Sequence, residues 1–314
     1  EEGVLLAALL IVSVIIIVTM GTVLAPLLTG IVLAYVMQGA IKTMERFQMP
    51  KGLAVSITFV IFMGFFLSLL FFVIPRVWRQ LQSLFQNIPS MVERTRDLLG
   101  ELPLNYPELV SEQQVTSWIE LLNSESAELG QWLLSFSLSQ LPLLVAVAVY
   151  IMLVPLLVFF ILKDQRQILA WCSSYLPSEK PLLDRIGREM DEQMANYIRG
   201  KVIEIIIVGG ASFVFFQLMG LEYAALLGFL VGLSVIVPYV GFVAVTFPVL
   251  IIAYLQFGWG SEFITILIGY SIIQAIDGFF IVPLLFSEAV NLHPIAIITA
   301  VLVFGAWWGV WGVF

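Results

Sequence analysis

Basic residues, cysteine and histidine are scarce in this chain of 314 residues. No Lys or Arg follows Lys201, so the last third has no basic side chain to neutralise its carboxylates. A single cysteine, Cys172, excludes an internal disulfide, and with the single histidine, His293, it cannot form a metal site of several such ligands. The net charge of -8 leaves no basic stripe for binding nucleic acid.

Motifs of several enzyme classes are missing as well. No G-x-x-x-x-G-K-[ST] phosphate-binding loop occurs, which argues against ATP-driven pumping by this chain. One histidine rules out H-E-x-x-H zinc chemistry. An aspartyl protease site needs two carboxylates that share a proton, and Asp277 has no second Asp among residues 202–314. We therefore predict that the chain is not an enzyme, holds no metal and needs no cofactor.

Apolar residues dominate what is present. They make up 61% of the chain, against 11% charged residues, and the mean hydropathy is +1.03. Lipid offers no hydrogen bonds to the backbone, and the alternating pattern of barrel strands is absent, so long apolar runs must be helices. The composition predicts an all-α integral membrane protein: a polytopic helical bundle with about eight spanning or re-entrant segments and amphipathic helices outside the membrane.

The apolar runs place the predicted spans. A helix crosses the hydrocarbon core with roughly 20 residues, and runs of about that length lie at 4–22, 23–41, 53–74, 141–162, 202–219, 263–286 and 292–314. Region 223–257 differs, because its two apolar halves are short and are joined by Pro238-Tyr239-Val240-Gly241. It is either an interrupted, re-entrant helix of the kind found near transport sites or two short helices with a tight turn.

Charge outside these runs predicts the topology and divides the chain. Basic residues follow the second and fourth predicted spans, so both of these loops are expected to be cytoplasmic. Apolar residues at helical spacing predict amphipathic helices in the outer and cytoplasmic segments, and Gly200 is the expected end of the cytoplasmic one. The predicted parts are 1–75 (N-terminal membrane helices), 76–140 (outer amphipathic segment), 141–162 (membrane helix), 163–201 (cytoplasmic amphipathic segment) and 202–314 (C-terminal transport region).

Asp277 is the strongest indication of function. It lies inside the apolar run 263–286, and ionisable groups at membrane depth usually face a cavity, a partner or a transported ion. Gln274 shares its helical face, Gly278 is expected to allow a close helix contact, and Pro283 is expected to break the helix. The structural alternative is a carboxyl that caps or hydrogen-bonds a neighbouring helix and never changes its charge.

Further candidates surround this acid. Asn291 precedes the helix breaker Pro294, while Pro238 and Gly241 interrupt region 223–257, so their polar and backbone groups are candidates to line a path. Glu204 is a second intramembrane acid, three residues after Lys201. An i, i+3 ion pair with Lys201 at the membrane interface accounts for Glu204 more simply than a role in transport.

The C-terminal motifs resemble one family. They are Pro238-Tyr239-Val240-Gly241 after a Gly-rich helix, Asp277-Gly278 with Pro283, and Ser287-Glu288-Ala289-Val290-Asn291-Leu292-His293-Pro294 before a Gly/Trp-rich last helix. This pattern resembles the autoinducer-2 exporter family, in its branch of PerM-like permeases. The resemblance covers nearly the whole chain and implies a polytopic inner-membrane permease that assembles as a homo-oligomer, a pentamer. It also implies transport of autoinducer-2 or exchange of sodium or lithium for protons.

Three functions are therefore open. The leading hypothesis is a secondary transporter for a small polar solute, in which Asp277 binds the coupling sodium ion or proton. The second is a membrane scaffold or regulator that binds partner proteins through its amphipathic segments. The third is a passive channel.

Overall fold

The fold comes from a computed structural model, which describes residues 2–105, 113–120, 140–175, 181–238, 240–286, 294–309 and 312. The elements in chain order are α1 (Glu2–Arg46), α2 (Lys51–Ser68), α3 (Ile74–Asn105), α4 (113–120), α5 (Gln140–Ser173), α6 (Pro181–Leu218), α7 (Ala224–Ser234), α8 (Val240–Phe257), α9 (Ser261–Ile276), α10 (Val282–Phe286) and α11 (Pro294–Trp308). Single π-helical turns, Leu69–Val73 and Asp277–Ile281, join α2 to α3 and α9 to α10. None of the described residues is in a strand, so the predicted all-α class is confirmed.

Helix α1 corrects the first two predicted spans. It runs for 45 residues without a break, which is about 68 Å at 1.5 Å per residue, so separate spans at 4–22 and 23–41 are wrong. Gly21 lies near the end of the first of these spans, and a glycine costs a helix only about 1 kcal/mol relative to Ala, which is too little to force a turn. Pro26 lies inside the same helix.

The third predicted span continues into the outer segment without a loop. Helix α2, the π-helical turn and α3 follow one another from Lys51 to Asn105. Apolar side chains of the α2 part face outward, as expected where hydrocarbon surrounds the helix. The α3 part is amphipathic, as predicted. The boundary at 75/76 falls within this rod, and the division into parts stays a prediction.

Helix α6 joins the cytoplasmic segment to the next span. It is 38 residues long, about 57 Å, and Gly200 lies inside it instead of ending it. A Cβ on Gly200 would lie 2.7 Å from Phe286 Cε1, so this glycine permits close contact with α10. The N-terminal half of α6 contacts α1, where the Tyr35 hydroxyl donates to Asp191 Oδ1 at 2.7 Å.

Helices α7 and α8 form a hairpin that begins and ends at the same end of the bundle. Near the end of α8, Gln256 accepts a hydrogen bond from the Glu222 N–H at 2.7 Å and donates one to the Gly220 carbonyl at 2.8 Å. With 11 residues, α7 is about 16 Å long, well short of a hydrocarbon core of about 30 Å. This supports the interrupted interpretation for the first half of 223–257, whereas α8 has the length and composition of a span.

Small residues hold α6 against α7. A Cβ on Gly209 would lie 2.9 Å from Gly232 Cα, and one on Gly228 would lie 2.6 Å from Phe213 Cβ. Gly209 thus makes the close contact, while the neighbouring Gly210 faces open space. Around this contact lies a core built from α6 to α9, and a second core joins α1, α2 and α5.

Six helical stretches are long and apolar enough to cross a membrane, and two apolar helices are shorter, Ala224–Ser234 and Ile298–Trp307. The count applies to the described residues. The polytopic character is confirmed, with α1, α2–α3, α5, α6, α8 and α9–α10 as the long stretches.

Candidate functional site

Helices α6 and α9 bring four polar side chains together inside the bundle. Lys201 and Glu204 lie one turn apart on α6. Gln274 lies in the last turn of α9, and Asp277 begins the π-helical turn that follows. We call these four residues the buried polar cluster. Lys201 lies 17 residues before the end of α6, and Asp277 lies 16 residues after the start of α9. At 1.5 Å per residue, each is about 25 Å from that end of its helix.

Lys201 and Glu204 form a buried ion pair. Lys201 Nζ donates to Glu204 Oε2 at 2.8 Å, and their side chains are 8% and 2% exposed. The predicted pairing is present, but it lies in the bundle interior and not at a solvated interface. Lys201 Nζ also donates to the Val235 carbonyl at 2.8 Å and lies 5.0 Å from the centre of the Phe286 ring.

Asp277 is buried next to this pair without bonding to it. The residue is 8% exposed, and its Oδ1 atom accepts no hydrogen bond within the described part of the chain. Lys201 interacts with it electrostatically, yet no Asp277 oxygen lies within the 4.0 Å of an ion pair. Gln274 Nε2 is equally buried and lies beside the Tyr270 hydroxyl, without a hydrogen bond of good geometry to a described atom. The unsatisfied Asp277 Oδ1 is a rare situation for a buried polar atom, and a bound water or ion would explain it.

The turn that holds Asp277 is wider than an α-helical one. In the π-helical turn Asp277–Ile281, the Val282 N–H bonds back to the Asp277 carbonyl five residues earlier. Proline at 283 has no N–H to donate, and its ring would clash with the carbonyl four residues before it, so a widened turn ahead of it relieves the crowding. Contrary to the prediction, the helix does not end at Pro283 but continues to Phe286.

Gly278 does not have the role predicted for it. A Cβ at this position would meet no described atom within 4 Å, so no helix packs closely on it. The next residue, Phe279, is 79% exposed and points away from the cluster.

The predicted break at Pro238–Gly241 forms the tip of the α7–α8 hairpin. Helix α7 ends at Ser234, and α8 begins at Val240. A Cβ on Gly241 would overlap the Ser234 carbonyl, so only glycine lets the two helices approach this closely. Val235, which accepts the bond from Lys201, is the first residue after α7. The break is thus tied directly to the buried polar cluster.

Two predicted residues lie at or beyond the edge of this description. Asn291 falls outside the described residues. Pro294 is the first residue of α11, as expected for a proline that cannot continue a preceding helix.

Other side chains near the cluster were not predicted. The Tyr270 hydroxyl lies 3.1 Å from the Thr246 hydroxyl of α8 and close to Gln274. On the other side, the Tyr197 ring packs 5.6 Å from the Phe286 ring and lies close to Glu204. Helical spacing offers a signal for both tyrosines, since Tyr270 precedes Gln274 by four residues and Tyr197 precedes Lys201 by four.

A cavity of about 330 Å³ lies at the opposite end of α7, where α3 packs on the bundle. Its lining combines a cation, an anion and uncharged polar groups: Arg79, Gln80, Ser83, Asn87, Glu222 and Tyr223. Two of these residues also attach α3 to the bundle. The Leu226 N–H donates to Gln80 Oε1 at 2.8 Å, and Asn87 Nδ2 donates to the Tyr223 hydroxyl at 2.7 Å.

The arrangement favours the binding of a cation or a proton. Two carboxyl groups and one ammonium group lie together in a region with little solvent, so the cluster has one negative charge too many if all three are ionised. Burying an uncompensated charge is costly, and a bound proton or cation removes the cost. The described residues contain no group of three or more His, Cys, Asp and Glu side chains suited to a metal ion.

Comparison with known proteins identifies relatives along the chain. The sequence model of AI-2E family transporters matches residues 5–314. PerM of Escherichia coli strain K12, which bears the name of a permease, is 42% identical over 291 residues, covering 93% of this chain and 82% of PerM. YueF of Bacillus subtilis strain 168, named as a transport protein, is 25% identical over 312 residues, covering 94% of this chain and 81% of YueF.

Proposed function

The chain belongs to the AI-2E transporter family, and from this membership we propose that it is a secondary transporter in which Asp277 binds the coupling cation. It is a multi-pass protein of the bacterial inner membrane. The coupling cation is a proton or a sodium ion, and the transported solute is a small polar molecule such as autoinducer-2.

One observation supports the coupling role above the others. Asp277 Oδ1 is buried and accepts no hydrogen bond from the described residues, beside a lysine that is already paired with another carboxylate. A carboxyl with a purely structural role would bond a neighbouring donor, because an unsatisfied buried acceptor costs about 1–3 kcal/mol. Binding of a cation in part of a transport cycle explains why the acceptor is kept free.

The broken helices support a path next to this acid. The hairpin tip at 235–238 and the π-helical turn Asp277–Ile281 place irregular backbone on two sides of the cluster. Irregular backbone at membrane depth is tolerated where it is buried in protein or lines a water-filled cavity. We propose that Gln274, Glu204 and the breaks at Pro238, Gly241, Pro283 and Pro294 line this path, together with Asn291. Gly278 has no contact that supports such a role.

The cavity beside α3 supports a polar solute. It has Arg79 and Glu222 on its wall, and no ion pair joins these two described residues. A small polar molecule can therefore bond both charged groups without displacing a salt bridge. Assembly of several copies, which the family resemblance implies, is part of the proposal and awaits measurement.

Flux into proteoliposomes under an imposed pH gradient tests the coupling role. Autoinducer-2, sodium and lithium are offered to the parent chain and to Asp277→Asn. We expect gradient-dependent flux of one of these substrates in the parent, and a fall to the level of empty vesicles in the variant. Glu262→Gln is the matched control, because Glu262 is an exposed carboxylate on the same helix and should leave flux unchanged.

Asp277→Asn with flux equal to the parent would remove the coupling role. The alternative of a membrane scaffold predicts no flux in any sample and retained partner binding through residues 78–139. Part of that outer surface is already used within the chain, since α3 contacts the bundle through Gln80 and Asn87. A passive channel would instead show unitary currents in a planar bilayer.

A further inference from the structure

The charges in the buried polar cluster do not balance unless one group is neutral. Lys201 is the one cation described there, and Glu204 holds it at 2.8 Å. Asp277 lies within electrostatic range of both, without an ion pair of its own. Because the Lys201–Glu204 pair is already neutral as a unit, a proton on Asp277 balances the charges of this arrangement without breaking that pair.

Lys201 has the geometry of a cation that can change partners. An ammonium group has three N–H donors, and two of them bond Glu204 Oε2 and the Val235 carbonyl. Toward the third side lies the face of the Phe286 ring, which attracts the charge but accepts no strong hydrogen bond. The four-carbon stem of lysine is flexible, so its ammonium group can move between acceptors without moving the helix.

Asp277 offers an alternative acceptor, which Lys201 Nζ can bond only by moving, because no Asp277 oxygen lies within 4.0 Å of it. Its unpartnered Oδ1 belongs to the helix that packs against α6, and Lys201 is the one cation acting on it among the described residues. The other titratable or polar groups described around it are Glu204 and Tyr197 on α6 and Tyr270 and Gln274 on α9. None of these groups carries a positive charge, so Lys201 is the one counter-ion among the described residues for an ionised Asp277.

We propose that Lys201 is a movable counter-ion: when Asp277 releases its proton to water, the Lys201 ammonium leaves the Val235 carbonyl and bonds the Asp277 carboxylate. This deepens the proposed function and rests on it, because it names the coupling ion as a proton. A sodium ion fits the cluster poorly. A sodium ion would need several oxygen ligands, and the Lys201 ammonium group beside them would repel it. Of the two carboxylates in the cluster, that of Glu204 already bonds this ammonium group.

The exchange of partners links protonation to the hairpin tip. Val235 directly follows the last residue of α7, and its bond to Lys201 ties the tip to α6. Loss of that bond leaves a buried carbonyl unpaired, which favours movement of residues 235–238 toward water or another donor. Proton release from Asp277 thus loosens the tip, and proton binding restores it.

Labelling at the tip tests this without measuring transport. The full chain with Cys172→Ser and Val237→Cys is reacted with a membrane-permeant maleimide over a range of pH, and the rates are corrected for the pH dependence of a free thiol. Val237 is half-buried, so its reactivity follows the position of the tip. We expect the corrected rate to rise several-fold as the pH rises through the titration of Asp277.

Variants assign that rise to the two residues. Asp277→Asn cannot ionise, so its corrected rate should stay at the low-pH level throughout. The double variant Lys201→Gln/Glu204→Gln removes the ion pair without leaving a lone buried charge, and its rate should be high and independent of pH. Glu262→Gln, the exposed control on α9, should follow the parent curve.

Several results would overturn the proposal. They are a flat corrected rate in the parent, an Asp277→Asn curve that rises as the parent does, or a double variant that keeps the low rate at low pH. A change in the parent rate when sodium replaces potassium at constant pH would overturn the assignment of a proton. The flux assay separates the two proposals. If Asp277→Asn loses flux but the labelling rate of the parent does not change with pH, the transporter proposal stands and the movable counter-ion is contradicted.

Discussion

Helix α6 holds two ion pairs, one near its start and one just past its middle, and the two pairs have nearly the same length but very different surroundings. Arg185 and Glu189 meet at 2.9 Å near the start of the helix, where their side chains are 75% and 62% exposed. Lys201 and Glu204 meet at 2.8 Å further along, where the values are 8% and 2%. Water and salt screen the first pair, which therefore contributes little to stability. The second pair is held where neither charge can be solvated if the other is lost.

This difference teaches that the environment, and not the distance, decides what an ion pair does. The exposed pair is one of many arrangements that a solvated helix surface tolerates. The buried pair fixes α6 to the end of α7 through the Val235 carbonyl, and it leaves Asp277 beside it without a counter-ion. A membrane protein has few reasons to bury three charges, and transport of a charged species is the strongest of them.

Removing one member of the buried pair should have the largest effect on stability. In Glu204→Leu, the Lys201 ammonium loses the carboxylate that it bonds at 2.8 Å, and at a pH where Asp277 is protonated we expect a loss of about 3–5 kcal/mol. The measurement is unfolding in detergent, followed by circular dichroism. Lys201→Met/Glu204→Leu removes both charges and should recover much of this loss. A single variant as stable as the double variant would contradict the importance of the unpaired charge.

Packing between α6 and α7 should give the next largest effect. Gly209→Ala places a Cβ 2.9 Å from Gly232 Cα, and overpacking of this kind costs about 1–3 kcal/mol. Gly210→Ala is the matched control on the neighbouring position, where a Cβ meets nothing within 4 Å. Alanine is the better helix former by about 1 kcal/mol, so the control should be neutral or slightly stabilising. Equal destabilisation by both substitutions, again in detergent unfolding, would contradict the close contact.

The other end of α7 gives a smaller effect. Gln80→Ala removes the side chain that accepts the Leu226 N–H in the first turn of α7, and loss of such a cap costs about 0.5–2 kcal/mol. Gln82→Ala, at an exposed position of α3, is the control and should change nothing. Protease digestion of α3 in the native state measures the effect, since a detached α3 is cut faster. The same digestion rate in both variants would show that α3 is held by other contacts.

The sequence predicted the membrane class and the candidate acids because both rest on composition. An acid in an apolar run is visible without coordinates, and the Lys201–Glu204 pair follows from helical spacing. The burial of that pair was not predictable, because it depends on the hairpin tip and Phe286 packing against α6 from distant parts of the chain.

Some predictions of helix ends were wrong for a related reason. Gly200 was expected to end its helix, although a single glycine inside a long helix costs little and can serve packing instead. At Gly200, the ring of Phe286 comes so close that a larger side chain would clash. Pro283 was expected to end its helix, but a π-helical turn just before it absorbs the strain. In each case tertiary contact or a local adjustment of the backbone outweighed the local preference.

Removal of the exposed Arg185–Glu189 pair on α6 should have the smallest effect on stability, and it is the reference for the larger effects above. Glu189→Gln removes a solvated ion pair at i, i+4 spacing, and we expect a change of less than about 0.5 kcal/mol that vanishes as salt is added. The buried pair should show no such dependence on salt, because screening ions do not reach it. Unfolding of Glu189→Gln and Glu204→Leu at low and high ionic strength makes the comparison directly. If salt shifted both variants equally, then water would reach Lys201, and the charge imbalance that assigns the proton to Asp277 would no longer hold.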